Sequence, residues 1–255
     1  MLILAGLGLY DERDITLKTL EYARKADKIY VEFYTSLLTG TTLDKIEKVI
    51  GRKIILLTRE DIEYRGDKLI EESKNKEVML LTAGDPMVAT THVDLAIEAK
   101  KKGIDVIIIN APSIYSAVGI TGLQIYKFGR TASIVFPEPN YFPETPYYVI
   151  RDNLKMGLHT LCLLDIQSDK NRFMSANEGL KILLELEDRK GENVLSENTK
   201  VVVLARVGSL KPKIVYGKIK DLIDYDFGPP LHSIIIPGKL HFMEEEALRY
   251  LCENI

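Results

Sequence analysis

The chain has 255 residues, 46% hydrophobic and 28% charged, with a net charge of −3 at pH 7, a composition that fits one large or two smaller soluble domains. The mild acidity argues against nucleic acid as the main partner. No apolar run approaches the ~20 residues of a membrane span, so no membrane partner is expected. Met1–Gly6 carries no basic leader and reads as a first strand rather than a signal peptide. Cys162 and Cys252 are the only cysteines, a usage that fits a reducing cytoplasm and offers no metal site.

Strand-like and helix-like runs alternate along the first half. Leu2–Leu9 reads as a strand containing Gly6-Leu7-Gly8. Ile15, Leu17, Leu20 and Ala23 follow at helical spacing, with Asp14 placed as the cap. Lys28–Tyr34 is a predicted strand, and Thr42 caps a short helix with Leu43, Ile46 and Ile50 on one face. Ile54–Leu57 is a strand and Ile62–Ser73 a helix. Val78–Leu81 is a strand that stops at Gly84-Asp85-Pro86, where the glycine reaches backbone angles closed to other residues and the proline fixes its own. His92–Lys102 is a helix closed by Gly103. Asp105–Asn110 is so rich in β-branched residues that both its faces are expected to be buried.

The second half has another texture. Ala111-Pro112-Ser113-Ile114-Tyr115 opens a helix extending to Thr121. Ser133–Phe136, His159–Ile166, Val201–Val207, Ile214–Val215 and Ser233–Ile236 read as strands, and Ala176–Asp188 and Met243–Cys252 as amphipathic helices. The strands near Val201 and Ile214 are close enough for a hairpin. Phe136–Tyr148, dense in proline and aromatics, is excluded from a central strand or helix interior and reads as a packed loop or a substrate rim. The expected fold class is α/β, with a mainly parallel sheet in residues 1–112 and a mixed sheet in residues 113–255.

Two glycine-bearing strand ends suggest a small-molecule site, because ligands of open α/β sheets lie beyond the carboxyl ends of strands. Each turn is equally readable as an ordinary strand exit. Gly6-Leu7-Gly8 lacks the third glycine of a dinucleotide fingerprint, where Asp11 stands instead, and no phosphate-loop lysine follows. His92, His159, His232 and His241 are dispersed, and no nucleophile elbow is present.

Taken in order, Gly6-Leu7-Gly8-Leu9-Tyr10-Asp11-Glu12-Arg13-Asp14, Glu32-Phe33-Tyr34-Thr35-Ser36 and Gly84-Asp85-Pro86-Met87-Val88-Ala89-Thr90-Thr91-His92 resemble the class III, tetrapyrrole-methylase-like methyltransferases that use S-adenosylmethionine. The likeness continues through Ala111–Gly119, Leu204–Ser209 and Ile236–His241 and spans essentially the whole chain. It implies two α/β domains with the cofactor in the cleft between them, the product being S-adenosylhomocysteine. Carried over position by position, it implies cofactor contacts at Leu9, Asp85, Val88, Ser113 and Ile114 in the first half. In the second half it implies Leu164, Ala205, Val207 and His232. The branch it most resembles methylates the amino group of a 3-amino-3-carboxypropyl-histidine on translation elongation factor 2, a step of diphthamide biosynthesis, as a homodimer.

The transfer needs an unprotonated amine aligned with an activated methyl. No base stands out: Glu138, Asp165 and Tyr34 are candidates, as is solvent, and Arg206 or Arg172 is a candidate partner for the substrate carboxylate. The catalytic residue is left open. Rival readings are a methyltransferase of a corrinoid or another small substrate, a non-catalytic adenosylmethionine or nucleotide sensor, and a dinucleotide-dependent oxidoreductase, the last disfavoured by the missing glycine.

Overall fold

In the computed structural model, which describes residues 1–63 and 65–255, the chain forms two compact units. The first comprises Met1–Ala117 with Ser168–Lys170, and the second Val118–Gln167 with Asn171–Ile255.

The first unit is built on β1 (Leu2–Gly6), β2 (Lys28–Glu32), β3 (Ile55–Leu57), β4 (Val78–Thr82) and β5 (Val106–Ile109), all parallel, in the order β3-β2-β4-β1-β5. The connecting helices are α1 (Leu17–Lys25), α2 (Leu43–Ile50), α3 (Arg59–Glu63), α4 (Gly66–Glu72) and α5 (His92–Lys101), with α6 (Ile114–Ala117) after β5. β1 and β4 are buried along their whole length. Apolar clusters lie on both faces of the sheet, one around Ile3, Val31 and Met79 and the other around Leu2, Leu4 and Leu80, as two-sided burial of a parallel sheet requires.

Five expectations differ from the structure here. Leu7 to Leu9 leave the strand because Gly8 takes φ +86°. Asp14 does not cap α1; Thr16 does, accepting from Thr19 N at 3.0 Å. Leu17, at the first helical position, is 84% exposed and lies off the apolar face. β5 is an edge strand with Ile108 exposed, so its β-branched run did not signal two buried faces. The helix predicted over Ile62–Ser73 appears as α3 and α4, and Tyr64 lies outside the described residues.

The second unit contains β6 (Ala132–Ile134), α7 (Thr145–Lys155), β7 (Thr160–Leu164), β8 (Ile166–Gln167), β9 (Arg172–Phe173), α8 (Ala176–Lys190), β10 (Lys200–Ala205), β11 (Lys213–Lys218), α9 (Ile219–Leu222), β12 (His232–Ile236), α10 (Phe242–Leu251) and β13 (Glu253–Asn254). Its sheet runs β13-β11-β10-β12-β7-β6. β10 pairs antiparallel with β11 and β12, and β12 with β7, whereas β6–β7 and β11–β13 are parallel, so the sheet is mixed. α8 begins with a full capping box, Ser175 with Glu178, and ends at Gly191 in the left-handed region.

The Pro-aromatic segment is only partly a loop. α7 starts inside it, with Pro146 in the first turn, where a missing N–H costs nothing. Tyr147 is therefore helical and buried, donating to Glu187 Oε2 at 2.9 Å. Glu138 and Tyr141 exchange backbone hydrogen bonds of 2.9 and 3.0 Å, and Tyr141 is exposed. Among the described residues, no helix is long and apolar enough to cross a membrane.

Candidate functional site

In the first unit, the carboxyl ends of the adjacent strands β4, β1 and β5 converge. Leu7 N donates to Thr82 O at 2.8 Å, and Gly84 N donates to Gly8 O at 2.7 Å. A Cβ on Gly6 would stand 2.3 Å from Gly84 O and 2.5 Å from the Ala111 Cβ, so the three turns approach as closely as bare backbone permits. The Asp14 carboxylate completes the first turn by accepting from Leu9 N (3.0 Å) and Tyr10 N (2.8 Å) through Oδ2.

Asp85 is the brace of this corner. Its Oδ1 accepts from Met87 N at 2.9 Å, and its Oδ2 accepts from Asn110 Nδ2 and Ala111 N, each at 3.0 Å. A carboxylate has about four lone-pair sites, so these donors leave room for one more, on Oδ1. Leu9, Val88 and Ile114 are half-buried around the same strand ends and Ser113 is buried, its carbonyl accepting from the amides of Ser116 and Ala117 in α6. The predicted residues of this unit thus share one end of one sheet. The sequence reading overlooked Asp14 and Asn110 as supports. Their signal was a short polar side chain within six residues of a glycine turn or at a strand end.

In the second unit, Ala205 ends β10 and pairs in register with His232, which starts β12. Leu164 ends β7, one residue beyond the Leu163–Ser233 pair. Leu164, Ala205 and His232 therefore lie at one end of the sheet, with Val207 two residues past β10. His232 is held at both nitrogens. Ala176 N donates to Nδ1 at 3.1 Å, leaving the ring proton on Nε2, 3.1 Å from Pro229 O. Burial lowers its proton affinity. A neutral imidazole with both nitrogens engaged offers a ring face or edge to a ligand, and neither nitrogen is placed to act as a base.

The two arginines suggested as carboxylate partners are otherwise engaged. Arg206 donates from Nη1 to Phe227 O at 2.7 Å and to Pro229 O at 2.6 Å, and the Arg172 guanidinium lies 3.4 Å above the Phe136 ring. Of the suggested bases, Glu138 is exposed, Asp165 Oδ2 accepts from Phe136 N and Gln167 Nε2, and Tyr34 is buried beneath the Arg59 guanidinium. None of the three is thereby set apart.

Comparison with known proteins adds a family to this geometry. A model of the tetrapyrrole (corrin/porphyrin) methylases matches residues 1–223. A diphthine synthase of Methanocaldococcus jannaschii is 77% identical over all of both chains, and one of Methanococcus aeolicus is 71% identical over all of this chain and 99% of its own. The crystal structure of a diphthine synthase superposes with a TM-score of 0.91 at 37% identity, covering 100% of this chain and 97% of that one.

Proposed function

The chain belongs to the tetrapyrrole methylase family, alongside its diphthine synthases, and from that premise we propose the details of its chemistry. It is an S-adenosylmethionine-dependent methyltransferase of diphthamide biosynthesis. Our reading is that it trimethylates the amino group of the 3-amino-3-carboxypropyl-histidine of translation elongation factor 2, and that it does so as a cytoplasmic homodimer.

The observation that carries the assignment is full-length identity of 70% or more to diphthine synthases, joined to a first-unit corner where the ends of β4, β1 and β5 close on one another around Asp85. The donor set suits the cofactor. Leu9, Val88 and Ile114 offer apolar surface to an adenine, and the remaining lone pair of Asp85 suits an ammonium or a ribose hydroxyl. Ser113, Leu164, Ala205, Val207 and His232 complete the proposed contacts. When bound, adenosylmethionine supplies a methyl already activated by its sulfonium, so the protein's work is alignment rather than activation. Asp85 braces the turns of this corner, and Asp14 fixes Leu9.

Incubation with labelled adenosylmethionine and an elongation factor 2 carrying the partly modified histidine, read by mass spectrometry, should show three methyl groups added there. Transfer to a corrinoid precursor with none to the factor would overturn the assignment, and light scattering decides the dimer.

A further inference from the structure

One buried group of the first unit has no task in this scheme. Glu32 is the last residue of β2 and is fully buried. Its Oε2 accepts from Tyr34 N at 3.0 Å and Thr35 N at 3.1 Å, and its Oε1 accepts the hydroxyls of Thr35 and Thr82, each at 2.6 Å. All four donors are uncharged, so the carboxylate is solvated without being neutralised. The ionisable group that faces it is His92, the first residue of α5 and 1% exposed, whose Nε2 lies 3.5 Å from Glu32 Oε1. That nitrogen is buried without a close hydrogen-bond partner, while Nδ1 lies 2.9 Å from Thr90 Oγ1.

Taking a carboxylate out of water is costly and is a poor way merely to stabilise a sheet. What the pair achieves is mechanical. Glu32 grips the loop after β2, through residues 34 and 35, and the last residue of β4. His92 sits where the turn that begins at Gly84 returns into α5, with Thr90 and the Pro86 carbonyl at its ring. We propose that Glu32 and His92 are positioning residues for the methyl transfer, together locking the loop after β2 to the turn that carries Asp85 and Val88. The proposal rests on the reading of those two residues as cofactor contacts.

The lock has a signature in pH. Burial pushes the His92 ring below its ordinary proton affinity, and the Glu32 charge opposes that push. Around this pair, Tyr34 and Arg59 lie on the segment that Glu32 holds, and Asp85 commits its carboxylate to Met87, Asn110 and Ala111. With His92 neutral in the working state, kcat/KM for adenosylmethionine should fall on acidification as the ring takes a proton. Removing the Glu32 charge should shift that acid limb to lower pH by about one unit.

The test uses the full chain with its protein acceptor. Glu32→Gln, which still accepts the two amides, should raise KM for adenosylmethionine by about tenfold or more, since small misplacements carry large kinetic costs, and should move the acid limb downward. His92→Gln should raise KM similarly and remove the part of the limb that His92 sets, leaving only the part set by the acceptor amine. NMR titration of the His92 ring should follow the same shift. Should Glu32→Gln fail to fold, Thr82→Val, which removes one of the four bonds, and His92→Gln carry the test. If both Glu32→Gln and His92→Gln lose thermal stability while keeping the wild-type KM and acid limb, the role is structural and the proposal falls. Failure of the underlying reading shows separately, as unchanged adenosylmethionine affinity in Asp85→Ala.

Discussion

The first unit buries Glu32 completely beside His92 and the second buries Glu244 completely beside His159, and the two pairs are built on opposite principles. In the second unit, Glu244, in the first turn of α10, receives the Lys127 ammonium, the N–H groups of Gln124 and His241 at 2.9 and 2.8 Å, and His159 Nε2 at 2.9 Å. His159 Nδ1 accepts from Gly238 N at 2.9 Å, which fixes the proton on Nε2. Every atom of that pair is spent and a full positive charge is present. In the first unit, Glu32 has only neutral donors and a histidine at arm's length. The contrast teaches that the fate of a buried carboxylate is set by its partners: one with a lysine is a fastener, and one without is left responsive to its surroundings.

The largest effect expected from breaking this contrast is at Glu244. Glu244→Ala leaves Lys127 without its counter-charge and should cost about 3–5 kcal/mol in urea denaturation, well beyond the loss in Glu32→Gln, which forfeits no ammonium contact. A smaller effect lies in pH. Burial alone would raise the Glu244 carboxyl, but Lys127 and the hydrogen-bond donors outweigh it and hold the group at about 2. A lowered carboxyl stabilises the fold fully above its ordinary value of 4.5 and loses that contribution as pH falls toward 2. His159, held neutral by burial, withdraws its own contribution below 6.5. Stability of the wild type should thus decline from near pH 6.5 and steepen below 4.5, and Glu244→Gln should lose the lower part of that slope. Smaller again is Asp14→Ala. Freeing the Leu9 and Tyr10 amides should cost about 1–2 kcal/mol and weaken adenosylmethionine binding in calorimetry, unlike any change at Glu244. The smallest is Tyr147→Phe, which forfeits one hydrogen bond to Glu187 and should cost about 1 kcal/mol with no change in turnover.

Much of the architecture was legible because strand cores and turn residues act locally. Val78–Thr82 and Gly84 declare a strand and its exit within seven residues, and Thr42 and Gly103 mark helix ends by chemistry that needs no distant partner. The illegible parts depend on contacts remote in sequence. Whether the run Val106–Ile109 is central or at an edge depends on which strands flank it. Asp14 could cap a helix or close a glycine turn, and only the path of Leu9 and Tyr10 decides between them. The role of Glu32 needed Thr82, fifty residues away. Arg206 looked available to a substrate carboxylate until the 227–229 loop folded back onto its guanidinium.

The near-contact at Gly6 has a consequence for motion. Because Gly6, Gly84 and Ala111 stand against one another with no side chain between Gly6 and its neighbours, and Asp85 ties the last of them by its amide, the three turns cannot open one at a time. Their amides should exchange with solvent deuterium at a common, slow rate, as a single cooperative unit. Exposed loops such as that around Tyr141 should exchange far sooner. A ligand that enters this corner would then meet a surface already set, with little ordering entropy left to lose.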